Sequence, residues 1–174
     1  LDSLEAKSFI ESTHLQGSVL AQTYLGLMYE NELVACMAFS TPRVGKDKQE
    51  GKMVLSRFSS AIDTTVVGAA SKLLQYFIKN YSPTAIISYS DNMYSQGALY
   101  ATLGFQLKKV NLPDYKYSKK YSTVLEGKSS YANTKPKSIC AINLGAPNPE
   151  KERMLYLGYV RQYNAGIKTW ELKI

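Results

Sequence analysis

The chain has 174 residues, 45% of them hydrophobic, and a formal net charge of +7 at pH 7. That length supports one well-cored domain with an appendage, and no run approaches the ~20 apolar residues of a membrane-spanning helix. Residues 1–105 hold 8 Lys/Arg against 9 Asp/Glu and residues 106–174 hold 13 against 5, so the positive excess lies in the C-terminal part.

Residues 1–14 (LDSLEAKSFIESTH) read as an amphipathic helix carrying acids, not as a secretory signal, with Leu4, Phe9 and Ile10 inward over 4–11. The absence of an initiating Met fits a segment trimmed from a longer protein. His14 is the one histidine and the one side chain expected to titrate near neutral pH. It reads either as an ordinary loop imidazole or as a general base or metal ligand. Residues 24–29 and 33–39 are β-prone runs around Glu30-Asn31-Glu32, a hairpin that 54–58 extends to an antiparallel meander. The connection 41–52 is polar, with Pro42, Gly45 and Gly51, and its Arg43, Lys46, Lys48 and Lys52 read as a solvated tip or a DNA-backbone contact. Arg57 lies among apolar neighbours, and a buried arginine needs a carboxylate or phosphate partner. It pairs with Asp91 or binds substrate or cofactor. Cys36 and Cys140 show no metal-ligand spacing and read as thiols in a reducing cytosol.

From Val67 the apolar residues Ala70, Leu73, Leu74, Phe77 and Ile78 fall at helical spacing, and Ser82-Pro83 stops the helix. Asp63, Thr64 and Thr65 are candidate caps for its first turn. The run 85–87 is a buried strand, so strand, loop, helix and strand form a parallel crossover unit. The loop Thr65-Val66-Val67-Gly68-Ala69-Ala70 lets backbone N–H groups converge on an anion at a positive helix end. Ser90, Asp91 and Asn92 close the second strand, where open α/β sheets bind ligands. They position a substrate amine, or take its proton through water, or cap the helix expected over 94–103. Tyr100 on that helix is a general acid or a packing residue.

From Lys108 basic and aromatic residues interleave, through Lys109, Tyr115, Lys116, Tyr117, Lys119, Lys120 and Tyr121. Lysines neutralise phosphates and aromatics stack on exposed bases, which points to DNA; a lysine-rich soluble edge strand is the other reading. A polar loop over 127–137, a strand over 138–144 and a helix opened by Pro147-Asn148-Pro149 follow. The end reads as a hairpin of 159–163 and 168–172 about Asn164-Ala165-Gly166, with Trp170 as the core anchor of this appendage.

Two segments together resemble the GNAT acyltransferase superfamily. Gly68 and Ala70 match the last two positions of its Q/R-x-x-G-x-G/A loop, with Thr65 at the first, and ALYATLGF over 98–105 resembles its A-x-x-Y-x-x-x-G-F segment. His14, the runs 24–27, 33–39, 55–58, 88–91 and 97–100, and the ending 158–172 are similar to a phage branch. That branch includes Mom-type DNA-modification proteins and GNAT-like domains fused to phage endonuclease-like modules. The resemblance implies acetyl-CoA or a related acyl-CoA held by its pyrophosphate on the Thr65–Ala70 loop, and Tyr100 as the acid for the leaving thiolate. It implies an amine acceptor, with a DNA base such as adenine suggested by the phage branch and the basic extension, and Asp91 or His14 helping the amine lose its proton. Arg57, Ser90 and Asn92 are then substrate-binding candidates, and DNA and a fused or associated nuclease-like protein the partners. The rival readings are a non-catalytic degenerate GNAT module that docks on DNA or protein, and a protein N-acetyltransferase. The expected fold is α/β, a GNAT-like twisted mixed sheet flanked by helices over 1–107 with a basic α+β extension over 108–174, in a cytoplasm (a host's, if phage-encoded), with no membrane or metal.

Overall fold

The computed structural model describes residues 1–42, 50–128 and 149–174. The expectations for Arg43, Lys46 and Lys48, for Cys140 and for a strand at 138–144 lie outside these residues; the helix expected after Pro147-Asn148-Pro149 is present from Pro149.

Strands β1 (Thr23–Tyr29) and β2 (Glu32–Ser40) form the expected hairpin, turning through Glu30 and Asn31, both at positive φ (47° and 67°). Two positive-φ central residues match the twist of paired strands. β2 also pairs antiparallel with β3 (Lys52–Ser60), and its residues 34–39 are all buried. Its alternating side chains divide between two covers. Ala35, Met37 and Phe39 pack with Leu73, Leu74 and Phe77 of helix α2 (Ala69–Tyr81), and the Phe39 and Phe77 rings stack at 3.6 Å between centroids. Cys36 and Ala38 pack on the other side with Ala6 and Ile10 of helix α1 (Ser3–Thr13). Asp2 caps α1, accepting from the Leu4 and Glu5 N–H groups at 2.8 and 3.2 Å. Ala6 and Ile10, four residues apart, set the buried stripe, so Leu4, expected inward, is exposed. Burial also lifts the Cys36 thiol pKa to about 11, as an inert core residue.

After α2 the chain forms β4 (Ala85–Asp91), parallel to β3, then the short helix α3 (Ala98–Thr102) and β5 (Gln106–Asn111). The terminal strand β9 (Ile167–Lys173) lies between β4 and β5, giving a six-stranded order β1-β2-β3-β4-β9-β5. The expected terminal hairpin therefore does not form. Its first strand, β8 (Tyr159–Tyr163), joins a separate antiparallel sheet with β6 (Tyr115–Lys119) and β7 (Glu126–Gly127). The physical reason is Trp170. Its indole is buried in the same apolar cluster as Phe39, Phe77 and Phe105, where a large ring covers more apolar surface than a surface hairpin offers.

Two compact units result, residues 1–90, 95–110 and 168–174 in the first, and 91–94 with 111–167 in the second. The expected division near 107 thus shifts to 110, and 168–174 belongs with the first unit. Within the second, helix α4 (Pro149–Tyr156) covers the small sheet. Met154 and Tyr117 are buried together, Glu150 Oε1 accepts from the Tyr117 and Tyr115 hydroxyls at 2.8 and 3.2 Å, and Arg161 stacks 4.1 Å over Tyr115. Among the described residues no helix is long and apolar enough to cross a membrane.

Because Phe77 joins α2 to the sheet through a fully buried ring, Phe77→Ala should lower the unfolding free energy by about 3–5 kcal/mol. Urea titration reads this directly; a loss below about 1 kcal/mol would show that the Phe39–Phe77 contact is not central to the core.

Candidate active site

The site begins with an interruption in the sheet. β3 and β4 pair only Lys52–Val54 with Ala85–Ile87, yet β3 runs on to Ser60 and β4 to Asp91. On its other edge β3 carries a bulge, since Ala38 faces Arg57 while Phe39 faces Leu55, leaving Ser56 as an extra residue. A bulge bends its strand and increases its twist, which fits the early end of the parallel ladder. The Leu55 carbonyl, just past the last pair, accepts instead from the Ser88 hydroxyl at 2.8 Å.

Tyr100 sits over this opening. The Ser88 hydroxyl has one proton for the Leu55 carbonyl at 2.8 Å and the Tyr100 oxygen at 2.9 Å. The phenol donates to Tyr89 O at 3.3 Å, long for an O–H···O bond, so this hydrogen bond is weak. Burial pushes the phenol's pKa above its ordinary value, and the Ser88 hydrogen bond and the Arg57 charge offset this in part. Tyr100 therefore stays protonated at working pH. Its ring is fixed by Trp170, stacked at 5.7 Å, and by Phe105, edge-on at 5.6 Å. The indole N–H donates to Ser90 Oγ at 2.9 Å. Gly97, at φ 87°, starts α3 beneath the indole, where a Cβ would drive into the ring. The segment A-x-x-Y-x-x-x-G-F is thus a device for holding one phenol.

Arg57 follows the bulge. Its Nε donates to Gly17 O at 3.0 Å and Nη1 to Ser56 O at 2.7 Å. Among the described residues no carboxylate pairs with it, so the expected Arg57–Asp91 pair is absent and two backbone carbonyls hold the guanidinium. His14 lies on the loop whose Gly17 carbonyl meets Arg57. Burial and then the Arg57 charge lower its pKa below the ordinary 6.5. Its Nδ1 accepts from the Gln16 N–H at 3.1 Å, so the neutral ring carries its proton on Nε2 and offers a donor, not the expected base.

The loop before α2 is open. Gly68 is the N-cap at φ 74°, and no side chain caps the helix, so Asp63, Thr64 and Thr65 do not act as expected. The Ala69 N–H reaches Val66 O at 3.2 Å, while the N–H groups of Gly68, Ala70 and Ser71 meet no acceptor among the described residues. Nothing stands within 4 Å of where a Gly68 Cβ would be, Thr65 and Val67 are exposed, and Val66 is half-buried. Free N–H groups around an unobstructed glycine at a helix start fit a phosphate group.

The other expected residues have different work. Ser90 is buried and occupied by Trp170. Asp91 and Asn92 belong to the second unit, where Asp91 Oδ1 caps the Met93 N–H at 2.9 Å and Asn92 donates to Ala165 O and Gly166 O. Lys108 and Lys109 lie on β5 in the first unit, Lys108 bound to Glu171 at 3.2 Å, and Lys116, Lys119 and Lys120 are exposed in the second. Among the described residues no three His, Cys, Asp or Glu side chains gather as a metal site. Sequence reasoning missed Ser88 and the role of Trp170. A serine directly after the apolar run 85–87 was the available sign for the first; nothing local marked the second.

No family model matches the sequence, and no curated protein sequence matches it. Solved structures do. The ribosomal-protein-S18-alanine N-acetyltransferase of Escherichia coli matches with a TM-score of 0.57 at 13% identity, over 100% of this chain and 90% of that one. An acetyltransferase of Bacillus subtilis, solved in complex with CoA, matches with a TM-score of 0.53 at 10% identity, over 100% and 94%. Likeness at such identity shows the fold, which is that of the GNAT acetyltransferases.

The single histidine gives a clean probe of this site's charge. Its NMR titration midpoint should lie below 6.5 and rise toward that value in Arg57→Gln, with the burial effect remaining. Because folding depresses this pKa, the neutral form is the stabilised one. Its contribution is present above the ordinary histidine pKa and is lost as pH falls through the folded one. An unchanged midpoint in Arg57→Gln would separate the two side chains electrostatically.

Proposed function

We propose that the chain is an acyl-CoA-dependent N-acyltransferase. The observation that carries this reading is Tyr100, a partly buried phenol kept protonated and weakly hydrogen-bonded where the β3–β4 ladder ends. The GNAT fold and the open loop at Gly68 support it. When bound, acyl-CoA supplies an activated acyl thioester. The N–H groups of Gly68, Ala70 and Ser71 hold its phosphates at the start of α2. The Arg57 guanidinium, a cation and donor, and the Nε2–H of the neutral His14 ring, a donor, stabilise negative charge. Tyr100 keeps a proton at its hydroxyl for a thiolate leaving group, which general-acid catalysis requires within hydrogen-bond reach.

In its finer form the reading places the acceptor amine on DNA. Lys116, Lys119, Lys120 and the nearly fully exposed Tyr121 support this, with Lys119 over the Tyr159 ring at 5.8 Å and Lys120 over Tyr121 at 5.3 Å. The resemblance to Mom-type proteins supports it too. An exocyclic base amine is a poor nucleophile, so its attack on a thioester would depend heavily on positioning.

Two measurements test these statements. Calorimetry should give micromolar acetyl-CoA binding that Gly68→Glu removes, by repulsion of phosphate, while Tyr100→Phe keeps binding and lowers kcat by roughly 10²–10⁴-fold. Absence of binding up to millimolar acetyl-CoA would overturn the enzyme reading. For the finer form, duplex affinity should fall steeply between about 50 and 200 mM salt, and each of Lys116→Ala, Lys119→Ala and Lys120→Ala should reduce the salt slope by about 1; a salt-independent or absent affinity would remove DNA as acceptor.

A further inference from the structure

Among the described residues, Arg57 carries a charge without a counter-ion. A guanidinium has five N–H donors, and two of these serve the Gly17 and Ser56 carbonyls. Its half-buried position makes the charge costly, yet no carboxylate among the described residues approaches it. The charge is felt by the Tyr100 phenol on one side and the His14 imidazole on the other. The neutral His14 ring adds a donor and no negative charge. The bulge at Ser56 and the Gly17 carbonyl from the 14–18 loop both fix the guanidinium in place. On that loop Leu15 and Leu20 remain exposed.

A planar cation held by two backbone carbonyls, with N–H donors to spare and no carboxylate partner among the described residues, is arranged to receive an oxyanion. We infer that Arg57 anchors an anionic group of the acceptor, so that the amine acylated here is carried by a molecule bearing a carboxylate or a phosphate. This rests on the acyltransferase reading for the meaning of "acceptor", though not for the anion site itself.

The test uses the full chain labelled with ¹⁵N-arginine, in which four arginines give few side-chain signals and Arg57→Gln identifies the relevant one. Titration with inorganic phosphate and, separately, acetate should move the Arg57 Nε–H signal saturably in the millimolar range. A signal unmoved by either anion to about 50 mM overturns the site. Turnover of acetyl-CoA is then compared for the pairs glycine and glycinamide, and O-phosphoethanolamine and ethanolamine. The anionic member of one pair should have a kcat/KM at least about 10-fold higher, which identifies carboxylate or phosphate, and Arg57→Gln should erase that preference while Arg57→Lys retains part of it. Equal turnover within both pairs, or no turnover of either in a protein that binds acetyl-CoA, overturns the acceptor role and leaves the acyl-CoA reading standing. If acetyl-CoA does not bind, the acyltransferase reading falls, whatever the phosphate and acetate titrations show.

Discussion

Parallel strands gain their hydrogen bonds in an evenly spaced ladder, and here that ladder runs for three pairs before β3 and β4 part. Almost everything distinctive about the first unit follows from that parting. The bulge at Ser56 turns β3, the Leu55 carbonyl loses its strand partner and takes a serine hydroxyl, and the same serine touches the Tyr100 oxygen. A continuous ladder would have consumed the polar groups that now organise the phenol. Buried backbone groups have to be satisfied somewhere, and the side chains that satisfy them here are the ones that define the site.

The electrostatics has two halves with opposite demands. Burial keeps the proton on Tyr100, whereas the nearby guanidinium favours its loss. The net shift is upward, so the phenol keeps its proton through neutral pH. Burial, and then the same guanidinium, lower the His14 pKa and favour its neutral ring. Arg57 thus supplies a positive charge, and Tyr100 and the neutral His14 ring supply donors, a combination suited to anions and to developing negative charge.

Much of the fold was legible because it obeys local rules. The helical spacing of Leu73, Leu74 and Phe77, the strand alternation through 33–39 and the Gly104-Phe105 ending each correspond to an observed element or core contact. Of the site, Tyr100 and the Gly68 loop were visible as motifs. Pairings between distant residues were not. The sequence offers Arg57 either Asp91 or a bound ligand as partner, whereas the carbonyls of Gly17 and Ser56 hold its guanidinium. Trp170 was assigned to an appendage because residues 159–172 alternate like a hairpin with a turn at Asn164-Ala165-Gly166. Nothing in that pattern reveals that a strand has a better partner 80 positions earlier, since register and sheet membership depend on nonlocal burial. Ser90 and Asn92 looked available because their types are polar; their partners lie in residues 165–170.

The placement of β9 between β4 and β5 has a consequence for how the protein comes into being. Until residues 167–173 have been synthesised, β4 and β5 have no intervening strand and each presents an open edge, the kind of surface that recruits other chains. Closing the loop from Ser90 to Trp170 also carries a nonlocal entropy cost that slows pairing. The α1–β1–β2–β3–α2 portion can mature early during translation, but the ring that steadies Tyr100 arrives late. Packing around Tyr100 is thus tied to completion of the sheet, so a nascent or truncated chain carries the open loop at Gly68 without the indole that holds the phenol.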